Sequence, residues 1–427
     1  MDVIYLTLII MLVLLVIRVP VFLSILGACT FYFTFQTGTP VQIYAQRIMA
    51  SLESTALLAI PFFITAGVCM NYSGVTKRIM DFCSIATGRW VGGLAQVNVL
   101  LSTLMGGLSG SNLADAAMEA KMLVPEMERH GYSKSFSTVV TAVSSLITPL
   151  IPPGIAMIIY GTVANVSIGK LFVSGLGIGI VTCATLMILV RIVSKKRGYT
   201  PMYTDKLPAK QMIKIILRAI PPLCLPIIII GGIRLGVFTP TEAGAIAIIY
   251  ALVLALFYRE MSIRDFGKAM KESAITTSQI LVIVASASCL GYILTIEQVP
   301  QDITQFLLSI VSNKYMFLII VNIFLLIVGM FLEGIAAMLI LIPLLSPAAL
   351  AYGIDPVQFG MIVVFNLSIG TLTPPLGTIM FVTCGITKCP TKDFIKECIP
   401  FYIQQLIVLL LITFVPAVSL GLVNLIY

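Results

Sequence analysis

Histidine occurs once, as His130, tryptophan once, as Trp90, and only 10% of the 427 residues are charged. A single imidazole in a loop and nine scattered cysteines without a CxxC pair argue against a zinc or redox centre of His and Cys. The phosphate-binding pattern GxxxxGK[ST] is also missing, so any energy source is an ion gradient or a partner protein. No nucleophile–base pair or metal cluster supports a membrane enzyme. Nor is there a polar stretch long enough to form a soluble domain with its own chemistry.

What fills the chain instead is apolar. Hydrophobic residues make up 59% of it and the mean hydropathy is +1.07, the composition of an all-α polytopic membrane protein. Runs of about 17–25 apolar residues, enough to cross the hydrocarbon layer, recur from end to end. The first, 3–17, continues through Arg18-Val19-Pro20 into another apolar segment and has no basic leader. It is expected to be a retained span rather than a cleaved signal peptide. Trp90, directly after Arg89, reads as an interfacial anchor. The net charge of +8 is accounted for by positive-inside bias, so the partner it implies is the lipid bilayer and not a nucleic acid.

The most polar, basic segment, 191–218, holds Arg191, Lys195, Lys196, Arg197, Lys206, Lys210, Lys214 and Arg218. It separates two apolar halves, 1–190 and 219–427, that share a pattern. An offset of 222 residues carries Gly107 onto Gly329, Pro125 onto Pro347, Gly131 onto Gly353 and Pro152-Pro153 onto Pro374-Pro375. Such a spacing is the mark of an internal duplication. The first half offers spans near 3–17, 20–36 and 54–70 and an amphipathic stretch, 75–89. A split apolar pair (91–108 and 112–128), a broken segment (136–163) and a last span (171–190) follow. The second half repeats the order at 219–237, 241–258, 274–295, 315–331 with 334–350, 357–386 and 399–424.

Two arms of about 17 residues joined by a few small ones suit a re-entrant hairpin, which enters and leaves by one side. With non-crossing hairpins at 91–128 and 315–350, each half crosses five times, so the second half is inverted. Charge agrees. A cytoplasmic basic linker puts 22 of the 26 Lys and Arg residues inside, and only Arg47, Lys170, Arg234 and Lys314 outside. Both termini are then periplasmic.

LITPLIPPG (146–154) and GTLTPPLG (370–377) interrupt their spans at mid-length. Proline removes a backbone donor and clashes with the preceding turn, and lipid cannot satisfy the groups a break releases. Carbonyls and threonine hydroxyls there make a hard-cation site, while half-helix N-termini suit an anion. The hairpin tips add Ser109-Gly110-Ser111-Asn112 with Asp115, and Leu332-Glu333-Gly334. Intramembrane acids are functional candidates by default. Plainer roles stand beside these: a proline kink, a helix cap for Asp115, a water-facing rim for Glu333. Glu242 reads as N-terminal helix chemistry, and Arg259, Arg264, Lys268 and Lys271 as a headgroup-facing surface.

GGLSGSNLADAAM (106–118), the paired motifs ITPLIPPG and GTLTPPLG, IPFFITAG (60–67) and TPTEAGA (239–245) resemble the large membrane subunit of tripartite ATP-independent periplasmic (TRAP) transporters. The resemblance spans the whole chain and is strongest to sialic acid importers. It implies an elevator-type fold of the ion transporter superfamily kind, in the bacterial inner membrane. It also implies Na⁺ as coupling ion and no other cofactor. A separate small four-helix membrane subunit and a periplasmic binding protein are the expected partners.

Carried over by residue, one sodium site falls at Ser102, Ser109, Ser145, Thr148 and Pro149, and a second at Gly329, Gly334, Gly370, Thr371 and Thr373. Substrate is expected between the tips, near Ser111, Asn112, Asp115 and Glu333. The acids are more easily reconciled with cation tuning or gating than with gripping a carboxylate. A stand-alone Na⁺/carboxylate symporter, a C4-dicarboxylate TRAP large subunit and a channel remain as alternatives.

Overall fold

A computed structural model describes residues 3–36, 40–203 and 208–427; Lys206 of the basic linker lies outside them. Among the described residues all regular structure is helical. The first half comprises α1 (Val3–Val16), α2 (Val21–Phe35), α3 (Gln42–Leu52), α4 (Ala59–Tyr72), α5 (Val75–Thr87), α6 (Gly93–Ser109) and α7 (Asn112–Arg129). Next come α8 (Lys134–Ser144), which tightens into a 3₁₀ turn over Ser145–Leu150, then α9 (Ile155–Val163) and α10 (Ile168–Lys196). The second half comprises α11 (Ala209–Arg234), α12 (Pro240–Tyr258), α13 (Ile263–Ile296), α14 (Val299–Ile310), α15 (Lys314–Phe331) and α16 (Gly334–Ala351). It ends with α17 (Pro356–Gly370), α18 (Thr378–Thr387), α19 (Thr391–Phe414) and α20 (Pro416–Ile426).

By length and apolar composition eight of the described helices can cross a membrane, or nine if α8 and α9, bent by 42°, count as one span. Three segments differ from the sequence expectation. The span at 399–424 is broken at Pro416, which has no amide hydrogen to continue α19. The helices α3 and α14 fall where only connections were expected, because they are too short or too polar to register as spans.

Helices α1–α4 pack with α11–α13 into a frame, and α6–α9 with α15–α18 into a core. At the centre lies α17, buried along its length from Val357 to Gly370. The outer helices turn Ile227, Ile249, Leu256, Phe257, Ile323 and Ile327 outward, the apolar belt expected of lipid-facing helices. Within the core the halves exchange elements: α9 packs on α16, and α18 packs on α7.

The 222-residue offset also relates local chemistry. Ser111 and Glu333 both cap the second helix of their hairpins, accepting from the amides of Ala114 (3.4 Å) and Ala336 (3.1 Å). Ser133 and Asp355 cap α8 and α17. Gly131 and Gly353 hold positive φ just past the preceding helices, and Pro152-Pro153 and Pro374-Pro375 are both cis.

Between α5 and the end of α12, Arg78 meets Glu260 at 2.8 Å and lies 3.7 Å over the Tyr258 ring. Its hydrogen bond holds the Glu260 carboxyl below the usual carboxylate range. Glu242 forms a capping box with Thr239 at the start of α12, the structural role its position suggested.

The hairpins touch the breaks of their own halves through glycine. A Cβ on Gly370 would sit 2.5 Å from the Gly329 Cα, and one on Gly106 would sit 2.9 Å from the Thr148 Cα. Neither neighbour is a flexible side chain, so the backbone itself would have to move. Gly370→Ala is expected to cost about 1–3 kcal/mol of overpacking. Gly385→Ala, with nothing within 4 Å, is expected to cost nothing. Thermal unfolding in detergent distinguishes them; equal midpoints would show that the helices separate freely.

Candidate transport site

The hairpin tips and the breaks converge on a cavity of about 680 Å³ between core and frame. Ser111, Asn112, Glu333, Pro149 and Thr371 line it from the core, and Gln279 of α13 from the frame. Among the described residues Glu333 is its only ionisable lining residue, and no Lys or Arg lines it. Three helices begin at its wall: α7 after Ser111, α16 after Glu333, and α9 at Ile155. Their N-terminal amides point positive dipole ends at the cavity.

Behind the first tip, polar groups form two rungs on one face of α7. In the upper rung the Thr148 hydroxyl donates to Asp115 Oδ2 at 2.9 Å, and the Ser109 side chain hydrogen-bonds the same carboxyl. In the lower rung, one turn along, the Ser102 hydroxyl donates to Glu119 Oε2 at 2.5 Å and lies 2.8 Å from Ser144 Oγ. Asn98 stands beside them, its amide nitrogen donating to Thr141 at 2.6 Å. Both acids are buried, Asp115 at 1% exposure and Glu119 at 0%. Among the described residues no Lys or Arg pairs with either.

The structure thus gathers Ser109, Thr148 and Asp115, but sets Ser102 a turn away with Glu119. Ser145 turns its hydroxyl to the carbonyl of Ala142 (2.9 Å), and Pro149 faces the cavity. Asp115 is absent from the cavity wall, unlike Ser111, Asn112 and Glu333. Four residues after Asp115, Glu119 escaped the sequence reading, although a spacing of four puts both on one helix face.

At the second break Gly329, Gly370 and Thr371 come together. Thr371 and Thr373 donate to carbonyls of their own helix, Ser368 (2.6 Å) and Ile369 (2.9 Å). Gly334 starts α16 at the cavity. The protein takes up part of the released backbone: Tyr402 donates to the Leu372 carbonyl at 2.8 Å, and the Ile379 amide to Thr371 at 2.9 Å.

A many-spanning helical fold with a central cavity where helices stop and start is the build of a membrane transporter. The family model described as "Tripartite ATP-independent periplasmic transporter, DctM component" matches residues 8–418, and the chain belongs to that family. It is 36% identical to the sialic acid TRAP transporter large permease protein SiaM of Vibrio cholerae, covering 94% of each chain. It is 37% identical to the C4-dicarboxylate TRAP transporter large permease protein DctM of Pseudomonas aeruginosa, covering 90% of each. Its fold is similar to that of the Alcanivorax borkumensis YdaH transporter, with a TM-score of 0.62 over 94% of this chain and 97% of that one, at 13% identity.

Replacing Thr148 by valine keeps the shape but strands a buried carboxylate oxygen. The expected loss is about 1–3 kcal/mol, the cost of an unsatisfied buried polar group. Thr162→Val, whose hydroxyl bonds only its own helix at Ile158, serves as control. Equal unfolding midpoints for the two variants would mean that Thr148 does not hold Asp115.

Proposed function

We propose that this large permease is the transport subunit of a Na⁺-coupled secondary importer of organic anions, with sialic acid as the leading substrate. The observation that carries this reading is the cavity itself. Among the described residues three helix N-termini face it while no basic side chain does. An anion there is held by backbone amides and by cations that arrive with it, which makes uptake depend on the ion. A dicarboxylate would place a second negative charge in a cavity that already holds Glu333, which favours a monocarboxylate. The C4-dicarboxylate reading is kept as the alternative because the Pseudomonas relative is as similar as the Vibrio one.

One sodium ion is assigned to the first break. Asp115, Ser109 and Thr148 supply side-chain oxygens, and Ser145 and Pro149 backbone oxygens. The second ion is assigned to Gly329, Gly334, Gly370, Thr371 and Thr373, where backbone carbonyls dominate. In this reading 1–190 and 219–427 are inverted repeats joined by the cytoplasmic linker 191–218, in the bacterial inner membrane with both termini periplasmic. The hairpins α6–α7 and α15–α16 are re-entrant, and the core moves against the frame as an elevator. A periplasmic binding protein delivers the substrate, and a small membrane subunit completes the complex.

Proteoliposomes decide the matter. Uptake of sialic acid is expected only when this chain, the small subunit, the binding protein and an inward Na⁺ gradient are all present. Robust uptake by the isolated chain would instead identify a stand-alone symporter. Uptake of succinate in preference to sialic acid would move the substrate to the dicarboxylates. Ungated, non-saturating flux would indicate a channel.

A further inference from the structure

One buried ionisable group of the core is used by neither the cavity nor the two breaks. Glu119 is fully buried, and its Oε1 has no hydrogen-bond partner. Burying an ionised carboxylate costs several kcal/mol unless a countercharge accompanies it. The described residues supply none at this point. Lys121, two residues on, projects about 200° away around the helix and is exposed. The 3₁₀ turn and α6 bring no ionisable side chain. The α8 helix brings only Lys134, tied to Glu128 at 3.4 Å; α18 brings the Cys384 thiol, and Cys83 of α5 lies nearby. Asp115, one turn away, adds a like charge.

The surrounding oxygens suit a cation from solution. Ser102 Oγ lies 2.5 Å from Glu119 Oε2, 2.8 Å from Ser144 Oγ and 3.2 Å from the Asn98 carbonyl. Ser144 Oγ lies 3.3 Å from Asn98 Oδ1, and Thr141 engages the nitrogen of that amide, which turns its oxygen toward the cluster. One carboxylate with hydroxyl and amide oxygens is a hard-ligand set. A single negative charge is neutralised by a monovalent ion and overcompensated by a divalent one.

We propose that Glu119, Ser102, Ser144 and Asn98 form a further sodium site, one helical turn from the Asp115 rung and toward the base of the hairpin. Its ion is additional to those at the two breaks. The choice of sodium rests on the importer reading above; the demand for a monovalent cation rests on Glu119 alone.

The test follows thermal unfolding of the purified full chain while sodium replaces choline at constant ionic strength. Sodium is expected to stabilise the wild-type chain. Glu119→Gln is expected to be more stable than wild type without sodium, since the uncompensated charge is gone, and to lose part of the sodium response. Asp115→Asn is expected to lose a separate part. Ser144→Ala, which keeps the charge, is expected to raise the half-saturating sodium concentration several-fold, and it decides the matter if Glu119→Gln does not fold. An unchanged sodium response in Glu119→Gln or, where that variant does not fold, in Ser144→Ala would overturn the Glu119 site and leave the importer reading standing. No sodium response in the wild-type chain would overturn the site as well, with coupling then judged by the proteoliposome uptake alone.

Discussion

A helix interrupted inside a bilayer must have its loose backbone groups met by protein, because hydrocarbon offers no partners. That requirement organises the core. Each interruption is covered by a hairpin from its own half, and contact is close only because glycine stands at the crossing: Gly106 against Thr148, Gly329 against Gly370. Tyr402 reaches in to the Leu372 carbonyl, and the chain folds back so that the Ile379 amide meets Thr371. The cavity follows from the same arrangement, since the tips that cover the breaks also end helices at one place.

Much of this was readable beforehand, because the signals were local. Proline pairs, small-residue tips and their shared 222-residue offset lie along the sequence itself. The structure puts caps, positive-φ glycines and breaks at matching positions. What escaped were features settled by distant neighbours. Glu119 looks like one more acid on a polar helix until Ser102 and Ser144 close over it. Asp115 was expected at the substrate; it lies behind the tip because Thr148, on another helix, draws its carboxyl inward. The short helix α3, with no buried residue, offered only a weak amphipathic pattern.

Relatives named for different substrates are about equally similar to this chain. The cavity gives a physical reason why overall similarity discriminates poorly between them. Three of the elements that line it are helix N-termini, and backbone amides are the same in every sequence. Under the proposed importer reading, differences in substrate preference come from a few side chains at the wall, such as Asn112, Glu333 and Gln279, or from whatever presents the substrate to it.

The exchange of α9 onto α16 and of α18 onto α7 has a consequence for how the protein is made. When the ribosome has released the first half, α7 has its acidic face covered by α6 and α8, but its contact with α18 is not yet synthesised. The second arm of the second hairpin, α16, by contrast, finds α9 already made when it emerges. Assembly is therefore asymmetric in time although the finished core is symmetric in pattern. The packing of α7 is completed only by one of the last helices of the chain, α18.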